Sequence, residues 1–145
     1  MSISTAPLRA VLDTNVWISG IFFGRGTPAQ LLREWRDNRF EVVVSSATLD
    51  ELERILQRKT IQFGAPELAR GWYEFIQTYA VHVAIETRFD GFSRDSKDDM
   101  LLEAAVAGRV NYLVTGDKDL LVLEQVETTP IITPREFLEL LKTKL

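Results

Sequence analysis

Short runs of branched apolar residues alternate along this chain with segments whose apolar positions recur every three or four residues. Leu8-Arg9-Ala10-Val11-Leu12 reads as a buried strand that ends at Asp13. Thr27-Pro28 reads as a helix N-cap followed by proline in the first turn, opening a helix through Leu31, Leu32 and Trp35. Phe40 to Val44 is a second strand, and Ser45 or Ser46 caps a helix with Leu49, Leu52, Ile55 and Leu56 on one face. A helix from about Pro66 to Tyr79 carries Leu68, Trp72, Phe75, Ile76 and Tyr79 at helical spacing, and Val81 to Ile85 is a short strand. A polar stretch from Thr87 to Lys97 leads to a helix over 98–107, a strand over 110–114, a brief helix over 118–123, the strand Ile131-Ile132 and a helix over 134–141.

Such alternation predicts an α/β fold with a mainly parallel sheet covered on both faces. No repeat, low-complexity tract or Pro/Gly/Ser-rich linker interrupts it, so residues 1–145 are expected to form a single domain. In sheets of this kind ligands bind beyond the carboxyl ends of the strands. Two segments are therefore singled out: Asp13, just past the first strand, and Thr115-Gly116-Asp117-Lys118-Asp119, just past the strand over 110–114. If those strands are neighbours, Asp13, Asp117 and Asp119 share one rim. The helix that begins at Asp98-Asp99 runs into the second of them, so its first turn starts at the same rim. Glu51 and Glu53 both flank the apolar face of their helix, and periodicity does not choose between them.

Composition narrows the chemistry. A 46% hydrophobic content in 145 residues suffices for a core without disulfides. With no Cys and only one His, a metal here would have to sit on oxygen. Two like charges about 4 Å apart repel by roughly 4 kcal/mol at an effective dielectric of 20. A bare carboxylate cluster is therefore costly unless its members are protonated, paired with Lys or Arg, or bridged by a cation. Hard oxygen ligands favour Mg²⁺ or Mn²⁺, and a carboxylate-held ion of this kind suits phosphodiester hydrolysis. Gly24-Arg25-Gly26 is too short for a phosphate-binding loop and lacks the following Lys-Ser/Thr. A net charge of −4 argues against holding nucleic acid by bulk electrostatics, unless the acids gather in one pocket and the 17 Lys and Arg lie elsewhere. Met1 to Arg9 has no basic segment followed by a long apolar core, and no run approaches the roughly 18 apolar residues of a membrane span, so a cytosolic location is expected.

Each acid also has a structural reading. Asp13 could cap a helix or make a turn, Ser96-x-x-Asp99 fits a capping box, and Asp117 and Asp119 could start a turn or helix. Glu51 or Glu53 could be a solvated helix position. Trp35 and Trp72 fall on apolar helical faces and read as core rather than as base-stacking groups, and His82 as a satisfied strand residue. Arg54, Arg58 and Lys59 lie beyond or opposite the apolar face and are candidate phosphate contacts or plain surface.

Taken together, Val11-Leu12-Asp13-Thr14-Asn15-Val16, Glu51-Leu52, Asp98-Asp99 and Leu113-Val114-Thr115-Gly116-Asp117-Lys118-Asp119-Leu120 resemble the PIN-domain nucleases. More narrowly they are similar to relatives of the VapC toxins of toxin-antitoxin systems, through to Ile131-Ile132-Thr133-Pro134-Arg135-Glu136-Phe137-Leu138. The resemblance implies a three-layer α/β/α sandwich and a Mg²⁺- or Mn²⁺-dependent ribonuclease. It implies that Asp13, Glu51, Asp99 and Asp117 are the catalytic acids, which selects Glu51 over Glu53, and that Asp13, Asp99, Asp117 and Asp119 hold metal. Asn15 and Thr115 would orient the acids, with RNA as substrate, a small antitoxin as partner and a homodimer as assembly. Glu103 departs from the pattern, since shorter VapC toxins usually carry alanine there; it reads as a mark of the subgroup and not as part of the site. The rival expectation is a PIN-like module that binds RNA or protein without cutting it. Cleavage of DNA in a flap-nuclease manner lacks support, because the chain has no helical clamp or basic arch.

Overall fold

The branched runs assemble side by side into one six-stranded sheet in the order β3-β2-β1-β4-β6-β5. The computed structural model describes residues 6–89 and 96–143, excepting the side chain of Ser96. Along the chain the elements are β1 (Arg9–Leu12), α1 (Thr14–Phe22), α2 (Thr27–Arg36), β2 (Glu41–Val44), α3 (Ser46–Phe63), α4 (Pro66–Tyr79) and β3 (Val81–His82). They continue with α5 (Ser96–Ala107), β4 (Tyr112–Val114), α6 (Lys118–Leu121), β5 (Gln125–Val126), β6 (Thr129–Ile132) and α7 (Pro134–Lys142). Every pairing is parallel except that of β5 with β6.

The two-residue period of each strand sorts its side chains onto opposite faces. Ala10, Leu12, Val42, Val44 and Val114 join Trp17, Leu31, Leu52, Ile76 and Phe137 in a core shared with α1–α4 and α7. Val11, Val43, Leu113 and Ile131 face Leu101, Leu102, Ala105 and Leu120 of α5 and α6. Helices thus cover both faces, which makes the α/β/α sandwich and explains why the central strands are apolar throughout. Phe137 sits edge-on to Phe40, with ring centroids 4.9 Å apart, and fastens α7 beside the start of β2. At the end of α5, Gly108 permits a close approach, because a Cβ there would stand 2.6 Å from Val43 Cγ1 of β2.

Several boundaries differ from the sequence expectation. A helix, α1, follows Asp13 directly, and its residues Val16, Trp17, Ile18 and Ile21 are all buried, so no polar face marked it. Thr27 is the first helical residue of α2, and the cap is Gly26, whose φ of 92° turns the chain into the helix. The strand expected over 81–85 ends at His82, whose Nε2 lies 2.7 Å from the Gln77 carbonyl oxygen. Gln125–Val126 forms an antiparallel edge strand that the pattern did not suggest. Ser45 is the cap of α3: its Oγ accepts from Thr48 N–H while Thr48 Oγ1 accepts from Ser45 N–H. Among the described residues, no helix is long and apolar enough to cross a membrane.

Candidate active site

The chain leaves β1 towards β2 and β3, and later returns to add β4 and β6 on the other side of β1. The β1/β4 seam is therefore the point at which strand order reverses, where side chains beyond the carboxyl ends are left uncovered by crossing connections. Leu12 is in register with Val114, and Asp13 N–H donates to the Val114 carbonyl at 2.9 Å. Asp13 and Thr115 consequently stand side by side. Thr115 Oγ1 donates to Asp13 Oδ2 at 2.6 Å and accepts from Asp117 N–H at 3.0 Å, so one buried hydroxyl ties both strand ends together.

Asp13 combines its two sequence readings. Its Oδ1 accepts from Asn15 N–H at 3.2 Å and caps α1, yet only 5% of the residue is exposed. Burial raises its pKa above the usual carboxylate value and the charge of Asp117 adds to the rise; hydrogen bonds from Thr115, Asn15 and Thr14 offset part of it. Asp117 caps α6 by accepting from Asp119 N–H at 2.9 Å. Asp119 is exposed in the first turn of that short helix, and Asn15 is exposed at the start of α1. Among the described residues, no Lys or Arg forms an ion pair with Asp13 or Asp117.

The first turn of α5 enters the same rim, since α5 leads into β4 and must run antiparallel to the strands. Asp98 and Asp99 are buried there. The capping box proposed for Ser96 and Asp99 rests on a side chain outside the described residues. Lys97 Nζ reaches Glu51 Oε1 at 3.6 Å, which brings α3 against the start of α5. Glu51 also takes a forked contact from Arg54, at 2.7 Å to Oε1 and 3.2 Å to Oε2. Glu53 faces the other way, beside Tyr73 of α4. Burial raises the Tyr73 pKa first, followed by the charges of Glu53 and Asp50. The two glutamates that periodicity left equivalent thus have different surroundings.

Arg58 and Lys59 lie further along α3, and Lys59 Nζ is directed to Gln62 Oε1 at 3.3 Å and over the Phe63 ring. Trp17 and Trp35 are buried core, whereas Trp72 is partly exposed beneath the Arg36 guanidinium. Sequence reasoning left out two rim neighbours. Lys97 is one, and nothing in the sequence signalled its pairing across 46 positions with Glu51. Glu103 is the other: it is buried one turn beyond Asp99 and accepts from Phe89 N–H at 2.9 Å.

Among the described residues, no three acidic or histidine side chains converge into a ready metal cage. The donor chemistry nonetheless fits a hard divalent cation. Asp13 and Asp117 are oxygen donors that repel one another, one of them buried, without a basic partner among the described residues. A cation between them would relieve both the repulsion and the burial of charge.

Comparison with known proteins adds the family. A family profile described as the PIN domain matches residues 9–119. Among solved structures, VapBC2 from Rickettsia felis, bound to a DNA fragment from their promoter, aligns with a TM-score of 0.59 at 15% identity. That alignment covers 87% of this chain and 98% of the other. PAE2754 from Pyrobaculum aerophilum aligns with a TM-score of 0.62 at 13% identity, covering 97% of this chain and 93% of that one. At such identities the likeness concerns the fold. No curated protein sequence matches the chain.

Proposed function

Since the chain belongs to the PIN-domain family, whose members are generally hydrolytic nucleases, we propose that it is an endoribonuclease working at the β1/β4 rim. The observation that carries this reading is the buried Asp13, tied through the Thr115 hydroxyl to the backbone N–H of Asp117 and held beside that second acid without a basic partner among the described residues. Hydrogen bonds from Thr115, Asn15 and Thr14 lower the pKa of Asp13, yet burial outweighs them and leaves it raised, as is common for carboxylates at functional sites.

In this proposal Asp13, Asp99 and Asp117, with Asp119, hold Mg²⁺ or Mn²⁺. When bound, such an ion eases ionisation of a water and neutralises phosphate charge. Thr115 and the Asn15 backbone occupy one lone pair on each Asp13 oxygen and fix the carboxylate plane. The exposed Asn15 side chain is the second orienting group. Glu51 is the fourth catalytic acid, and its contact with Lys97 ties α3 to the turn that carries Asp98 and Asp99. Arg54, Arg58 and Lys59 are candidate contacts to the RNA backbone. Water attacks phosphorus in line, the P–O3′ bond breaks and the departing 3′ oxygen takes up a proton, leaving a 5′-phosphate and a 3′-hydroxyl.

The likeness to VapBC2 supports a toxin role with a small antitoxin covering this rim, and the reading includes a single domain over residues 1–145, a homodimer and a cytoplasmic location. Cleavage of single-stranded and structured RNAs with Mg²⁺ or Mn²⁺, against EDTA and Asp13→Asn controls, tests the proposal. Metal-dependent products with 5′-phosphate ends that Asp13→Asn fails to make are expected. Equal cleavage by Asp13→Asn, or none of any RNA by the wild type, overturns it, and the second result favours a PIN-like module that binds without cutting.

A further inference from the structure

A rim of acids must still admit a polyanion, and the chain as a whole carries a net charge of −4. That charge is unevenly spread. None of the 21 Asp and Glu falls in residues 14–33 or 54–66, whereas those two segments carry Arg25, Arg33, Arg54, Arg58 and Lys59. The segments meet where α1 and α3 end: Phe63 packs against Phe22 and Phe23, with ring centroids 5.5 and 5.3 Å apart. Phe22 leans on the core, but Phe23 is 52% exposed and Phe63 42%.

We propose that Phe23 is a base-stacking platform for the single-stranded RNA beside the scissile bond, and that Arg25 takes the adjoining phosphate. The Phe23 backbone is fixed, since its N–H donates to the Ser19 carbonyl at 3.0 Å as α1 ends. Phe63 stands edge-on at 76° between ring planes, so the Phe23 ring is propped in place while half of the residue remains exposed. Arg25 follows in the Gly24-Arg25-Gly26 loop, is exposed, and makes no ion pair among the described residues. A Cβ at Gly24 or Gly26 would meet nothing within 4 Å, so a ligand can approach this loop closely. Lys59 Nζ, 5.7 Å from the centre of the Phe63 ring, adds positive charge beside the pair without having to move. Every base offers a flat π-face and every nucleotide a negative phosphate, so an exposed ring among cations without nearby acids in the chain suits a single strand. Phe23 lies about 15 Å from Asp13 along α1, at 1.5 Å per residue, within reach of a strand held at the rim.

This inference rests on the RNA reading above, and its test separates the two. Binding of a short labelled oligouridylate is followed by fluorescence anisotropy in Ca²⁺, with the RNA checked intact, for wild type, Phe23→Leu, Phe23→Trp, Arg25→Gln and Tyr79→Leu. Leucine keeps an apolar contact with Phe63 but has no ring. Tyr79 is a matched control: it is 65% exposed and packs on Phe75 at 4.7 Å, but at the end of α4. Phe23→Leu is expected to bind about fivefold weaker or more, the lower end for one stacked base, and Phe23→Trp to bind as wild type. Stacking involves no charge, so the Phe23→Leu deficit stays constant from about 50 to 200 mM salt. Arg25→Gln instead loses about 0.7 of the slope of log affinity against log salt, so its deficit narrows about 2.6-fold over that range. Tyr79→Leu binds as wild type, and all five proteins melt cooperatively.

Wild-type affinity in Phe23→Leu, or an equal loss in Tyr79→Leu, overturns the platform and leaves the face to a protein partner. A wild-type slope in Arg25→Gln overturns the phosphate contact. If the wild type cleaves RNA while Phe23→Leu binds and cuts it equally well, only this inference fails. If RNA binds with the predicted losses but is never cleaved in Mg²⁺ or Mn²⁺, the hydrolytic reading fails and the platform stands. A wild type that binds no RNA removes both.

Discussion

Replacing Asp13 by Asn should make the metal-free protein more stable at neutral pH while abolishing the proposed RNA cleavage. Asp13 is almost fully buried, and burial, together with the charge of Asp117, raises its pKa above the unfolded value. A raised folded-state pKa means that the favourable contribution of this group is complete below its unfolded pKa. That contribution is lost as pH rises through the folded one, so at pH 7 the ionised Asp13 is a net cost. Asparagine removes the charge and keeps the shape. Its oxygen can accept from Asn15 N–H and its amide can donate to Thr115 Oγ1, which still accepts from Asp117 N–H, but the Thr115 hydroxyl proton then loses its acceptor, which offsets part of the gain. Single stabilising substitutions commonly yield about 0.5–2 kcal/mol. With about 3 °C of melting temperature per kcal/mol at this chain length, Asp13→Asn should melt about 2–6 °C above wild type at pH 7 in EDTA. The difference should shrink as acidification protonates Asp13 in the wild type. Circular-dichroism melts across that range measure it. A variant that melts below wild type by the same margin at every pH would refute the argument and leave Asp13 as an ordinary cap.

Two further substitutions probe the frame that carries the site. Thr115→Val leaves Asp13 Oδ2 and Asp117 N–H without their buried partner, and should cost about 1–3 kcal/mol in urea unfolding, with Thr115→Ser retaining most of the stability. Phe137→Ala empties a fully buried position packed against Phe40 and Tyr112 and should cost about 3–5 kcal/mol by the same measurement, with the unfolding slope unchanged.

The order of strands and helices was legible because period-two and helical spacings differ wherever an element has one polar side. It failed where that contrast vanishes. In α1 the buried Val16, Trp17, Ile18 and Ile21 surround most of the helix, so its only sequence signal was the Asp13-Thr14-Asn15 cap. Gln125–Val126 is an edge strand of two residues, too short to carry any period. Of the rim, Asp13 and Asp117 followed from their places after two strands, and the β1/β4 pairing brings those places together. Glu51 and Glu53 could not be separated by angle alone, because their surroundings come from α5 and α4, which pack on opposite flanks of α3. Lys97 was invisible for a related reason: its relation to Glu51 exists only after α5 docks.

Whether the rim holds a divalent ion is decided most directly by calorimetric titration of Mn²⁺ into the metal-free protein, wild type against Asp13→Asn and Asp117→Asn. The account predicts saturable binding to the wild type that either substitution weakens at least tenfold, about 1.4 kcal/mol or more, in proteins that remain folded. Undiminished binding in both variants, or no binding to the wild type, would contradict it.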